Sequence, residues 1–279
     1  MLAALLRHLL VTKPRLSGAS VSSYIGAARS HLSVVYDFDF RRGPLLSQTL
    51  HRLKQVPVAK HHRVPCTPEL IRLVVSDASL PLALRAAVAL AWSLLLRASE
   101  YLSDGTGSFA QAATLLGRHV TVDPTTGGFR LFVPASKGDV FNSGTTHHLV
   151  PVSDELCPVR LLRMFLAHRQ AQGIAVDKPL FTLDDRRYLT RDHVSAALKA
   201  KAPLVGLPVD RTSSHGIRIG GAFCLANRGV PFEQIQQMGR WKGRNMAILY
   251  AQMSVSRRTV AAEALRLSDP RADPPLLAA

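Results

Sequence analysis

The chain has 279 residues, with 35 Lys and Arg against 19 Asp and Glu and a formal charge of +16, and 47% of it is apolar. That is enough apolar material for one large core or two modest ones, and so positive a field collects polyanions, nucleic acid first, unless it serves solubility alone. Cys66, Cys157 and Cys224 are odd in number and far apart, which suggests neither a disulfide framework nor a zinc cluster and fits a reducing compartment; the most apolar run, Ala86 to Leu96, is broken by Ser93 and too short for the ~20 residues that span a bilayer, so no membrane partner is expected.

From the start to about Gln55 the pattern is helical. Met1 to Asp37 holds Arg, Lys and Ser but no acid before Asp37, a composition shared with organelle transit peptides. Val21, Tyr24, Ile25, Ala28 and Leu32 recur at helical spacing, however, which favours a helix of a DNA-binding region over Ser20 to Val35. Arg7 and His8 interrupt Leu2 to Leu10 and argue against a secretory signal. A second helix is expected over Pro44 to Gln55. Next, Pro57, Lys60, His61, His62, Arg63 and Pro65 make Val56 to Cys66 a basic linker suited to lie along a phosphate backbone. The domains expected are thus a helical region 1–57, a basic linker 58–66, a second domain 67–268 and a flexible tail 269–279.

Thr67-Pro68-Glu69 opens the next helix, with a hydroxyl cap, proline at the first position and an acid at the positive end of the dipole. One long helix is expected from Pro81 to Leu102. Three short antiparallel strands follow, His119 to Val122, Phe129 to Val133 and His148 to Val152, the first two joined by a turn over Asp123 to Gly128. Helices then occupy Pro158 to Gln172, Thr190 to Ala200, His215 to Asn227, Pro231 to Met238, Asn245 to Gln252 and Ser256 to Leu267. The fold class is mainly α with a small antiparallel β-sheet, an α+β arrangement.

The charged non-bridging oxygens of a phosphodiester repel a nucleophile, so a site that attacks one needs cationic donors around it. Arginine suits this, because its guanidinium stays protonated and bonds two oxygens in parallel. A nucleophile and an acid for the leaving oxygen complete the requirement. Ser214-His215-Gly216-Ile217-Arg218 sets a histidine and an arginine on adjacent turns of one helix face, with small Gly220, Gly221 and Ala222 behind. A His-x-x-Arg pair is common by chance. Here Gln237-Met238-Gly239-Arg240-Trp241-Lys242-Gly243 follows, and Ala247-Ile248-Leu249-Tyr250 puts a tyrosine nine residues past the tryptophan.

From His215 through Met253 this stretch resembles the tyrosine recombinase (phage integrase) family, and it is most similar to the Cre-like members, which carry tryptophan where most of the family has a second histidine. Leu95-Leu96-Arg97-Ala98-Ser99-Glu100 resembles the family's upstream Leu-Arg-x-Ser-Glu setting. The resemblance implies a recombinase catalytic domain preceded by a short, apparently truncated helical core-binding domain, to which Val21 through Leu32 is similar. It implies catalytic roles for Arg97, Lys137, His215, Arg218 and Trp241, with Tyr250 as nucleophile and Glu100 in support.

In that scheme the Tyr250 phenol, with an ordinary pKa of about 10, loses its proton in a cationic pocket. Arg97, Arg218 and His215 clamp the phosphate oxygens, Trp241 donates its indole N–H, and Lys137, on Ser136-Lys137-Gly138, protonates the departing 5′ oxygen. The product implied is a 3′-phosphotyrosine, reversed by a 5′-hydroxyl, with no cofactor and no metal. In keeping with this, the sequence has no Gly-rich Lys-Ser/Thr loop and no carboxylate cluster suited to two metals.

Lys60, His61, His62, Arg63, Arg240 and Lys242 are the expected DNA-binding residues. His61-His62 and His147-His148 are adjacent pairs that cannot share a helix or strand face, so they read as solvated or phosphate-facing and not as metal ligands. Trp92, inside the apolar run, reads as core. Double-stranded DNA is the expected partner, bound by a homotetramer in an intracellular compartment with access to DNA, nucleus or nucleoid, organelle targeting being left open. Two alternatives stand beside this: a DNA-binding protein descended from a recombinase but without catalysis, and a type IB topoisomerase-like enzyme.

Overall fold

The computed structural model describes residues 2–13, 16–37, 43–55, 64–103, 109, 114–134 and 143–241, in two compact units, Met1–His61 and His62–Ala279. The first unit holds α1 (Leu2–Thr12), α2 (Gly18–Tyr36) and α3 (Pro44–Gln55), with α2 packed on both neighbours. Ser17 caps α2 by accepting from the Ser20 amide at 3.1 Å. Its small core is Leu6, Leu9, Val21, Ile25 and Leu50. Val21 and Ile25 are thus the inward residues of the helical pattern, whereas Tyr24 faces out.

In the second unit, α4 (Pro68–Ser76) begins as its sequence dictates, with the Thr67 hydroxyl accepting from the Leu70 amide at 3.3 Å and Pro68 at the first position. α5 (Leu82–Ser93) is apolar nearly all round and is buried accordingly, packing against α4, α7 (Pro158–Ala171), α8 (Arg191–Lys201) and α9 (Ser214–Asn227). α10 (Phe232–Gly239) packs on α9, where Leu95, Ile219, Ala222, Ala226 and Ile235 make a second apolar cluster. No described helix is long and apolar enough to cross a membrane.

The single helix expected over Pro81 to Leu102 is broken. α5 stops at Ser93, Leu95 adopts a left-handed backbone with φ 49°, and a one-turn helix α6 (Ala98–Tyr101) follows. A left-handed residue other than glycine costs roughly 1–2 kcal/mol. Two features offset it. The Leu95 side chain is fully buried in the second cluster, and the carbonyls of Leu94 and Leu95, released from the helix ladder, take guanidinium donors. The Glu100 carboxylate then caps α6 by accepting from the Arg97 amide at 2.8 Å.

The sheet runs β1 (Val120–Asp123), β2 (Gly128–Val133) and β3 (Thr145–Leu149), antiparallel in that order. β3 lies three residues earlier than expected. Pro151 has no amide to give a ladder, whereas Thr145 and Thr146 are β-branched and suit a strand. The register pairs Leu131 with His147 and Arg130 with His148. Partners across a ladder share a face, so His147 lies on the face of buried Leu131 and His148 on the opposite one.

α9 approaches the incoming chain closely. The Cys66 amide donates to the Gly216 carbonyl at 2.9 Å, and a Cβ at Gly220 would stand 1.9 Å from the Cys66 carbonyl oxygen. Only glycine fits there.

Candidate active site

Three elements meet at the end of α5: the turn 94–97, the first turns of α9, and the C-terminus of α10. α9 needs no cap of its own, because the Ser195 hydroxyl from α8 accepts from the Ser214 amide at 3.2 Å. His215 then sits in the first turn and Arg218 one turn on, 3% exposed. Arg218 donates through Nη1 to the Leu95 carbonyl and through Nη2 to the Gly239 carbonyl, and its guanidinium carbon stands 4.5 Å from the Trp241 ring centroid. The chain reaches this position by way of Gly239, where a Cβ would come within 2.2 Å of the indole.

Glu100, 2% exposed, lies between two other arginines. Its Oε1 accepts from Arg97 Nη1 at 2.9 Å and its Oε2 from Arg240 Nη2 at 2.7 Å. Arg97 also donates through Nη2 to the Arg240 carbonyl at 2.9 Å, and its side chain remains 20% exposed. Arg240 spends its other contacts inward: Nη1 donates to Met238 O at 2.9 Å, to Leu94 O at 3.3 Å and to His147 Nε2 at 2.9 Å, and Nη2 donates to Leu95 O at 3.3 Å.

Three guanidinium groups against one carboxylate leave two formal positive charges in a largely desolvated cluster. Burial of this kind is tolerated because the terminal guanidinium nitrogens have oxygen or ring-nitrogen partners, Arg240 Nε alone being buried without one among the described residues. Burial pushes His147 down to about 4, the Arg240 charge adds to that, and Glu100 opposes it. His147 is therefore neutral near pH 7, and the ring nitrogen facing Arg240 accepts. Burial likewise lowers the Arg240 pKa, with Glu100 working against the shift.

The sequence pattern of the phage integrase family matches residues 68–257, which takes in the whole cluster. The chain belongs to the phage integrase family. No curated protein matches it by sequence. Among solved structures, this integrase-family chain is similar to the XerH site-specific recombinase bound to a palindromic difH substrate in a post-cleavage complex, at 15% identity and a TM-score of 0.63, over 95% of this chain and 72% of that one. It is also similar to the Tn1549 transposon integrase in complex with transposon right end DNA, at 16% identity and a TM-score of 0.58, over 95% of this chain and 85% of that one. XerA recombinase matches at 15% identity and a TM-score of 0.53, over 95% of this chain and 98% of that one. At such identities the likeness speaks for the fold, which is that of a tyrosine recombinase catalytic domain.

Of the residues singled out by sequence, this integrase-family chain brings Arg97, Glu100, Arg218 and Trp241 together, with His215 one turn before Arg218 on the same helix. Lys137, Lys242 and Tyr250 lie outside the described residues, as do Lys60, His61, His62 and Arg63, the helices expected over 245–252 and 256–267, and the tail 269–279.

Two expectations are corrected. Arg240, expected against DNA, turns a side chain only 6% exposed onto Glu100, because its left-handed backbone at φ 52° aims it back under the turn 94–97. His147, expected in solvent or against phosphate, is partly buried and bonded to Arg240, while His148 stays exposed. Both were missed because strand register decides the first histidine and chain reversal after α10 decides the arginine. Placing Leu149 inward on β3 would have carried His147 with it, two residues away. Among the described residues no group of three His, Cys, Asp or Glu side chains is placed to hold a metal ion.

Proposed function

We propose that this chain is a site-specific DNA recombinase that cuts and rejoins strands through a 3′-phosphotyrosine at Tyr250. The observation that carries this is the cluster in which Glu100 orients Arg97, the turn at Leu95 and Gly239 orients Arg218, and Trp241 lies against Arg218. Guanidinium groups fixed before a substrate arrives stabilise the charge that grows on a five-coordinate phosphorus without further reorganisation. Arg97, at the rim, and Arg218, beneath it, supply that charge, with His215 on the same helix as Arg218. Trp241 stands where most of the family carries a second histidine and brings an indole N–H donor.

Tyr250 is the nucleophile, following Trp241 by nine residues, and Lys137 is the acid for the 5′ oxygen. The covalent link conserves the phosphodiester energy, so the reaction runs without nucleotide or metal.

Double-stranded DNA is the partner. The charge of +16 supports it, as do relatives of the same fold solved with DNA, XerH on difH and the Tn1549 integrase on a transposon end. The working assembly is a homotetramer joining two sites, wherever in the cell DNA is reached, nucleus or nucleoid. Residues 1–57 bind DNA as a short helical domain, 58–66 form a basic linker carrying Lys60, His61, His62 and Arg63, and 67–268 form the catalytic domain, with Lys242 at the DNA surface.

A suicide substrate, nicked beside the cleavage point so that the short leaving strand diffuses away, tests this. The native chain is expected to form a protein–DNA adduct that survives denaturant, and Tyr250→Phe to form none. An adduct retained by Tyr250→Phe would remove the nucleophile. No adduct on any DNA would leave a DNA-binding descendant of a recombinase, and relaxation of supercoils by a monomer would point to a topoisomerase.

A further inference from the structure

We propose that Arg240 is a positioning residue, whose guanidinium, locked between Glu100, His147 and the carbonyls of Leu94, Leu95 and Met238, fixes where Trp241 leaves α10. The proposal rests on the recombinase reading, in which the nucleophile follows nine residues after Trp241.

The backbone makes the first argument. Residue 240 is left-handed, with φ 52° and ψ 45°, at the C-terminus of α10. Glycine adopts that conformation freely and ends many helices, whereas a side chain there is strained. Arginine at this position must therefore contribute something that glycine lacks.

The contacts supply it. One guanidinium reaches the end of α5 through Leu94 and Leu95, α6 through Glu100, β3 through His147 and its own helix through Met238. Its planar fork suits several fixed acceptors at once, as the point charge of lysine does not.

The backbone on either side belongs to the same cluster. The Arg240 carbonyl accepts from Arg97, the Gly239 carbonyl accepts from Arg218, and Trp241 lies against the Arg218 guanidinium. Displacing residue 240 thus moves acceptors that orient both arginines. A direct hold on DNA does not fit, since Nη1 has three acceptors and Nη2 two within the protein, so the N–H groups at the tip of the fork are already engaged.

The test uses the full chain carrying Trp92→Phe, which leaves Trp241 as its single tryptophan. Arg240→Gly removes the side chain while keeping the backbone conformation accessible, and Arg240→Lys keeps the charge. Arg240→Gly is expected to bind DNA within twofold of its parent, to form the covalent adduct at least tenfold more slowly at saturating DNA, and to shift Trp241 emission to the red. Arg240→Lys should fall between the two.

Unchanged adduct rate and unshifted emission would overturn the proposal. So would weakened DNA binding with an unchanged rate at saturation, which would make Arg240 a DNA ligand. If Arg240→Gly does not fold, Arg240→Lys decides by the same rate: slowed at saturating DNA supports the role, and equal to its parent overturns it. Absence of any adduct from the parent would sink the recombinase reading separately; the emission shift then decides for Arg240, its presence supporting the role and its absence removing it.

Discussion

Along α5, residues Ala83 to Ala91 are held by side chains of α4, α7, α8 and α9, whereas a few residues later, at Leu94 to Arg97, the same chain is held by guanidinium groups on its carbonyls and by one carboxylate on its amide. The first kind of contact is non-directional and scales with buried area, so many apolar sets of similar volume would serve. The second assigns particular donors to particular acceptors, and removing one partner strands the rest. The molecule thus places its tolerant chemistry in the core and its intolerant chemistry at the end of the same helix, where the candidate site lies.

The contrast is tested hardest at Glu100. Glu100→Ala leaves Arg97 and Arg240 without their carboxylate in a pocket where its side chain was 3% exposed. A loss of about 3–5 kcal/mol is expected from a broken buried pair, read as a lower denaturant midpoint at unchanged slope. A loss under about 1 kcal/mol, the scale of an exposed pair, would show that water already screens the cluster. In the apolar core, Leu162→Met changes shape but little volume at a fully buried position of α7. A cost below about 1.5 kcal/mol is expected in the same measurement, and a cost matching Glu100→Ala would erase the distinction.

The smallest effect concerns pH. His147 is pushed down from 6.5 to about 4 in the folded chain, so between those values the unfolded chain binds a proton that the folded one refuses. This contribution is fully present above pH 6.5 and is lost as pH falls towards about 4. His147→Gln keeps an acceptor for Arg240 without the titration. Its Tm is expected to fall less than that of the native chain from pH 7 to pH 4.5, and parallel curves would mean that His147 is protonated in place.

Much of this was legible because local chemistry and global packing agree. Thr67-Pro68 starts a helix wherever it stands, and the apolar run beyond Leu82 has to be buried. His215-x-x-Arg218 and Arg97-x-x-Glu100 place their members within a turn of each other whatever the rest of the chain does. The break after Ser93 was not legible, since Leu94-Leu95-Leu96 carries no glycine or proline to stop a helix. It is imposed from outside, by arginines 123 and 145 positions along the chain from Leu95. The three-residue error in β3 has a local cause, Pro151, whose lack of an amide was outweighed by the apolar Val150 and Val152. Arg240 and His147 escaped for one reason: burial of a charged or titratable side chain depends on which partner arrives, and composition records only that the side chain prefers water.

The Cys66 amide bonded to Gly216, and Gly220 seated on the Cys66 carbonyl, act together as a ruler. They fix the register of residues 64–66 against the helix bearing His215 and Arg218, so that bringing Ile219 into the place of Gly220 would drive a side chain into backbone. A single residue inserted between Cys66 and Thr67 is accordingly expected to misalign α4 against α9 although no residue of the cluster had been altered.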